Sequence, residues 1–170
     1  MLVKRVCPVL AGTIAAICNV SFAHGILPTS HKHAIVQPRL KIATLDPNDL
    51  NSYRPISNLS FLSKTIERVV AIRINEHADA YRLMPLRQSA YRGFHSTETA
   101  VTDVHNRLIR CVDRGGNVSV LVLLDLSSAF DTVDHVILLE ILEKRFGVAS
   151  DALSWYYSYL SEHTQTYKIG

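Results

Sequence analysis

Asp125 follows an almost uninterrupted apolar run, Val118-Ser119-Val120-Leu121-Val122-Leu123-Leu124, and leads into Leu126-Ser127-Ser128-Ala129-Phe130-Asp131. A run of valine and leucine of that length reads as a central strand buried on both faces. A carboxylate at the end of such a strand is costly to bury unless a cation compensates it. Strand ends are also where many α/β folds place their chemistry. Magnesium takes oxygen ligands from one or two carboxylates, backbone carbonyls, water and phosphates. Asp125, with the backbone carbonyl of Leu126, supplies part of such a shell. The chemistry it would serve is phosphoryl transfer, in which paired ions stabilise the attacking and the leaving oxygens. The competing reading is that Asp125 only caps the turn after it, and spacing alone leaves the two open. Asp131 and Asp134 fall where a helix begins, and acidic residues suit the positive end of a helix dipole, so they read as structural.

The elements that must position Asp125 follow from periodicity and punctuation. A helix is expected over about Val6 to Ala23, with Pro8 in its first turn and Gly25 after its end. His33 to Ile42 reads as a short strand, broken or placed at an edge by Pro38. Thr44 to Pro55 reads as a loop, with Asp46-Pro47-Asn48-Asp49 as turn chemistry. A long helix is expected from Leu59 to Tyr81, on the apolar set Leu59, Leu62, Ile66, Val69, Val70, Ile72 and Ile74. A second runs from Ser96, a plausible N-cap, to Asp113, and Gly115-Gly116-Asn117 ends it. After the Val118–Leu124 strand come a helix over Val133 to Phe146, closed by Gly147, and another from Ser150 through Trp155 to Leu160. A strand begins at Thr166. Alternation of helices with a central strand predicts an α/β or mixed α+β fold. Trp155, Tyr156, Tyr157 and Tyr159 offer base-stacking surfaces, but on an amphipathic helix they read as core and interface packing.

The 170 residues are enough for one domain with a real core, and 48% hydrophobic with 19% charged residues argues against disorder. Three cysteines without C-x-x-C spacing point to a reducing compartment and no structural zinc. His31 and His33 have no cysteine or carboxylate cluster beside them and read as an exposed pair. Residues 1–115 carry 15 Lys+Arg against 8 Asp+Glu, whereas residues 116–170 carry 3 against 7. A phosphate-binding surface beside a metal-binding site gives that pattern, as does surface charge that happens to segregate. Lys4-Arg5, the apolar run after it and Ser21-Phe22-Ala23 imitate a secretory signal. Pro8, Gly12, Thr13, Asn19 and Ser21 interrupt the run and make it a poor membrane span.

Three blocks carry a family resemblance. Asn51-Ser52-Tyr53-Arg54-Pro55-Ile56-Ser57-Asn58-Leu59, followed by Phe61-Leu62-Ser63-Lys64 and Glu67-Arg68, resembles the fingers of reverse transcriptases from non-LTR (LINE-type) retrotransposons. Gln88-Ser89-Ala90-Tyr91-Arg92 with His95-Ser96-Thr97-Glu98-Thr99-Ala100 resembles that family's next motif, and Leu124 to His135 resembles its palm motif A. The blocks stand in family order and at family-like spacing. Pro28 to Lys41 and Leu160 to Gly170 are similar to the flanking segments, so the resemblance covers nearly the whole chain, including the apolar N-terminal helix. That favours an intracellular protein, in the nucleus or a cytoplasmic ribonucleoprotein, over a secreted one.

The resemblance implies a truncated right-hand polymerase fold: a helical lead-in over 1–30, fingers over 31–115 and a partial palm with motif A over 116–170, without a thumb. It makes Asp125 the first catalytic, metal-binding aspartate, with the Leu126 carbonyl beside it. Phe130 becomes the bulky residue beneath the incoming sugar, which disfavours a 2′-hydroxyl, and Ala129 allows close approach. Arg54 and Lys41 contact the triphosphate, and Gln88, Arg92 and His95 lie near template or primer. Ala90-Tyr91 replaces the family's usual Gly-Phe, which adds a Cβ where a tight turn is expected. The implied partners are an RNA template, a DNA primer and deoxynucleoside triphosphates, with no membrane and no obligate protein partner, and the implied cofactor is Mg2+, two ions in the complete enzyme. No Gly-x-Pro-Gln-Gly-Ser and no Phe/Tyr-Ala-Asp-Asp occurs in the sequence. The expectation is therefore an incomplete domain with an incomplete metal site, inactive by itself. The alternative is a non-catalytic nucleic-acid-binding remnant.

Overall fold

The computed structural model describes residues 2–113, 115, 118–126 and 129–168, with side chains from residue 9 onward. It is a mixed α and β chain. In order, the elements are α1 (Leu2–Ala23), β1 (His33–Leu40), β2 (Tyr53–Asn58), α2 (Phe61–Ala80), α3 (Thr97–Asp113), α4 (His135–Lys144), α5 (Ser150–Leu160) and β3 (Thr164–Tyr167). Two compact units result, one of residues 1–74 and 134–170, the other of residues 75–133.

In the first unit, Cys18, Leu27, Ile66 and Trp155 form a buried core, with Ile14, Ile17, Phe22, Val69, Val70, Tyr156 and Tyr159 packed against it. The apolar face of α1 is thus a core element, joined to α5 by a buried polar contact. The Trp155 indole donates to Ser21 Oγ at 2.9 Å, and Ser21 Oγ donates to the Ile26 carbonyl at 2.6 Å. Trp155 stacks on Tyr159 with centroids 5.3 Å apart, and Tyr159 donates to Glu67 Oε1 at 3.0 Å. Burial of the ring, then the Glu67 carboxylate, push the Tyr159 phenol up to about 12. The packing role expected for the aromatic helix holds for Trp155, Tyr156 and Tyr159, whereas Tyr157 is exposed. Gly25 ends α1 with φ 60°; its N–H donates to Phe22 O and the Ile26 N–H to Ser21 O, a glycine-closed helix end.

The sheet order is β2-β1-β3, with β2 antiparallel and β3 parallel to β1. This corrects one sequence expectation and narrows another to the half of β1 beyond Val36. The loop expected up to Pro55 gives way to strand at Tyr53, and Pro38 neither breaks β1 nor makes it an edge strand throughout. The register explains both. Pro38 pairs with Pro55, and Lys41 N–H donates to Ser52 O, which sets the hydrogen-bonded pairs at the odd positions of β1. Both prolines therefore sit at a non-hydrogen-bonded pair, where a missing N–H breaks no β1–β2 bond. On the other side β3 pairs only with His33 to Val36, so Pro38 lies past its reach. The turn chemistry of 46–49 is as expected: Asp46 Oδ1 accepts from Asn48 N–H and Asp49 Oδ1 from Asn51 N–H, both at 2.9 Å. β3 starts two residues before the expected Thr166, and Ile169 lies outside the described residues.

The helix caps follow the sequence. Ser96 Oγ accepts from Thr99 N–H at 3.2 Å at the start of α3, and the Ser96 hydroxyl beside Glu98 holds its carboxyl below the usual range. Asp134 Oδ1 accepts from Val136 and Ile137 N–H at 2.8 and 3.1 Å, the structural role read for it. Gly147, at φ 69°, follows α4.

Candidate functional site

Burial alternates along the first half of β1 in the β2-β1-β3 sheet, while β2, apart from half-buried Tyr53, and β3 are exposed throughout. Ala34 and Val36 are buried, while His33, Ile35 and Arg39, at odd positions, are exposed. Paired residues share a face, so Arg39 and Arg54, cross-strand partners, stand together on an exposed one. Lys41, exposed just past β1, donates its N–H to the carbonyl of the buried Ser52, and Lys168 follows β3 with its N–H on the Val36 carbonyl. Gln37, Pro38, Arg39 and Lys168 line a shallow pocket on this sheet. None of the four cations meets a carboxylate among the described residues. Like charges directly opposite one another in a sheet are destabilising, which an anion lying across them would relieve.

The second unit holds the remaining sequence-derived residues. Gln88, Arg92 and His95 lie in the loop before α3, and each bonds the loop's own backbone. Gln88 Nε2 donates to Ala90 O at 3.2 Å, Arg92 Nη1 to Pro85 O at 3.4 Å, and His95 Nδ1 lies 2.8 Å from Gly93 O. The tight turn in doubt at Ala90-Tyr91 is made, with Tyr91 in the left-handed region at φ 58°.

The expected central strand is not formed. Residues 118–126 have no regular secondary structure, and their large apolar side chains are 53–91% exposed. Asp125 is exposed as well, so burial does not force a cation on it. A strand needs ladder partners on its edges, and among the described residues none pairs with this segment. Ala129 and Phe130 follow in an exposed turn in which Thr132 Oγ1 donates to Ala129 O at 3.1 Å. Ser127 and Ser128, like Gly116 and Asn117, lie outside the described residues.

A family model for reverse transcriptase (RNA-dependent DNA polymerase) matches residues 43–169, well over half of the chain. The chain belongs to the reverse transcriptase family. Among similar proteins, the "Probable RNA-directed DNA polymerase from transposon BS" of Drosophila melanogaster is 37% identical over 95 residues, 56% of this chain and 10% of that protein. The "RNA-directed DNA polymerase from mobile element jockey" of the same species is 30% identical over 122 residues, 72% of this chain and 13% of that protein. A third relative, the "Probable RNA-directed DNA polymerase from transposon X-element", is 35% identical over 85 residues, 50% of this chain and 9% of that protein. These matches bear out the resemblance to non-LTR retrotransposon reverse transcriptases. The chain spans about a tenth of the length of these relatives.

Reverse transcriptases as a family use divalent metals, nucleotides and a nucleic-acid template. The donor set described here does not make a metal site. No three His, Cys, Asp or Glu side chains among the described residues stand close enough together to hold an ion. Asp125 is one carboxylate, and one carboxylate with one carbonyl leaves most of a magnesium shell to other donors. Among the described residues no helix is long and apolar enough to cross a membrane. The reverse transcriptase resemblance singled out Arg54 and Lys41 but passed over Arg39, which the register sets directly across from Arg54. Strand parity counted from His33 could have found it, had β2 been recognised as a strand.

Proposed function

We propose that this chain forms the fingers and the first part of the palm of an RNA-directed DNA polymerase from a non-LTR retrotransposon. In that reading residues 1–30 are a helical lead-in, 31–115 the fingers and 116–170 the partial palm. Arg54, with Arg39 and Lys41, engages the phosphates of an incoming deoxynucleoside triphosphate through charge-assisted hydrogen bonds. Phe130 and Ala129 shape the floor under its sugar. Gln88, Arg92 and His95 belong to the loop that meets the RNA template or DNA primer. Asp125, with the Leu126 carbonyl, supplies one part of a magnesium shell whose other donors are not among the described residues. The location that goes with this reading is the nucleus or a cytoplasmic ribonucleoprotein.

The observation that carries the reading is the exposed cationic sheet face, without a carboxylate partner among the described residues, onto which the Asn51–Leu59 motif delivers Arg54. A second reading, a nucleic-acid-binding module without catalysis, is favoured by the absence of a three-ligand cluster among the described residues. Both are tested with purified chain and a DNA-primed RNA template in magnesium. Salt-dependent binding without primer extension is expected. Extension above background that Asp125→Ala abolishes would refute the expected inactivity and the second reading together. Absence of any salt-dependent binding would refute both readings.

A further inference from the structure

The loop between α2 and α3 displays two aromatic residues in a backbone conformation that aromatics rarely adopt. Tyr91 has φ 58° and Phe94 φ 61°. Bulky L-residues at positive φ are outliers, and such strain clusters at sites that bind ligands. Burial does not compensate it here: Tyr91 is 80% exposed and Phe94 108%. Rings of this kind ordinarily hide most of their surface. Two polar side chains of the loop are less exposed and serve its own backbone. Gln88 and Arg92 are half-buried, and with His95 they contact the carbonyls of Ala90, Pro85 and Gly93. They shape the loop, and the rings stand in solvent along with the exposed Arg82, Leu86, Arg87 and His95. From Arg82 to Thr97 there are three arginines and no acidic residue.

We infer that Tyr91 and Phe94 form a stacking platform for the unpaired bases of a single strand, held by Gln88, Arg92 and His95 as positioning residues. The inference rests on the nucleic-acid reading above and changes which side chains of the loop touch the strand. Every base has a π-face, so stacking tolerates any sequence, and neighbouring cations attract the backbone. A duplex offers no such faces along its length, because its bases already stack on one another.

The test is fluorescence anisotropy with a labelled single-stranded RNA and its blunt duplex, using the whole chain. Tyr91→Asn and Phe94→Asn suit it, since asparagine tolerates the left-handed region and removes only the ring. Each is expected to weaken single-strand binding by roughly 5- to 150-fold. The slope of affinity against salt should stay unchanged, because no phosphate contact is lost. The Tm should be unchanged or raised, and Tyr91→Trp and Phe94→Trp should retain binding. Wild-type binding that neither Asn variant weakens would overturn the platform and leave the nucleic-acid reading standing. Equal affinity for the blunt duplex, or a fall in Tm that accounts for the lost binding, would do the same. No binding by the wild type would overturn both.

Discussion

The cross-strand arginines give the sharpest check on the cationic face. Replacing Arg39 by glutamine removes one charge while keeping a side chain of strand-compatible shape. In the second reading, a nucleic-acid-binding module without catalysis, the same face lies along a single strand: if Arg39, Arg54, Lys41 and Lys168 each meet one phosphate of it, log affinity should fall against log salt with a slope of about −2.8, from about 0.7 per contact. Arg39→Gln should bring that to about −2.1. Between 50 and 200 mM salt the wild type would then lose about 50-fold in affinity and the variant only about 20-fold. Stability should move the other way from an ordinary damaging substitution. Arg39 and Arg54 are register partners on an exposed face, and like charges so placed repel. The urea midpoint of Arg39→Gln should therefore equal or exceed that of the wild type. Anisotropy titrations at four or five salt concentrations, with urea unfolding of the same proteins, measure both quantities. Arg68→Gln, on the exposed part of α2, is the control. An equal change of slope in that variant would mean that net charge, not the sheet face, governs binding. A lower urea midpoint for Arg39→Gln would mean that Arg39 is a structural residue.

Three further outcomes test the positioning elements. Asp134→Ala should cost about 1 kcal/mol of stability, the usual value of a lost N-cap, since Asp134 Oδ1 accepts from two backbone N–H groups; Asp134→Asn should retain most of it, and denaturant unfolding compares the two. Gly25→Ala should be distinctly worse than Gly147→Ala. Both have positive φ, which costs an alanine roughly 1–2 kcal/mol, but a Cβ at Gly25 would lie 2.9 Å from both Asp151 O and Ser154 Cβ, whereas one at Gly147 meets nothing within 4 Å. Equal midpoints for the two variants would refute close packing of α5 at Gly25. Tyr159 gives an alkaline signature. Its phenol is pushed up to about 12 in the folded chain, so the neutral form is favoured by folding. That contribution is fully present below the free phenol's value of about 10 and is lost as pH rises from there toward about 12. Tyr159→Phe should flatten stability against pH across that window in thermal melts.

Local signals in this sequence are legible and long-range ones are not. Ser96, Asp134, Gly25 and Gly147 announce helix boundaries because a cap or a left-handed residue acts within a few positions of itself. The Trp155 side of α5 is readable for a similar reason, since helical periodicity fixes which residues share a stripe, whereas the apolar run of α1 also imitates a secretory signal and local pattern alone does not decide it. β2 is hidden because Arg-Pro-Ile-Ser neither alternates cleanly nor avoids proline. Only the partner strand shows that Pro55 sits at a non-hydrogen-bonded pair opposite Pro38. Arg39 is missed with it, since its significance lies in what stands across the ladder. The polar loop residues Gln88, Arg92 and His95 attract notice by type, while the exposure and strain of Tyr91 and Phe94 are properties of the folded backbone alone.

The same distinction explains the segment before Asp125. Valine and leucine set a preference for extended backbone, but a strand is completed only by hydrogen bonds to neighbours that sequence distance does not limit. Residues 118–126 have the preference without the neighbours among the described residues. In the seven residues Val118 to Leu124, three valines and three leucines are left with apolar side chains in water and no charge before Asp125. That is an aggregation hazard wherever such a segment stays uncovered. Asp125 is the charged residue that directly follows this segment in the sequence. A carboxylate made to complete a metal shell and a carboxylate that keeps a strand soluble call for the same residue at the same place. They diverge only under substitution: Asp125→Asn should lower solubility if the segment is uncovered, and should leave it unchanged if neighbouring strands already shield it.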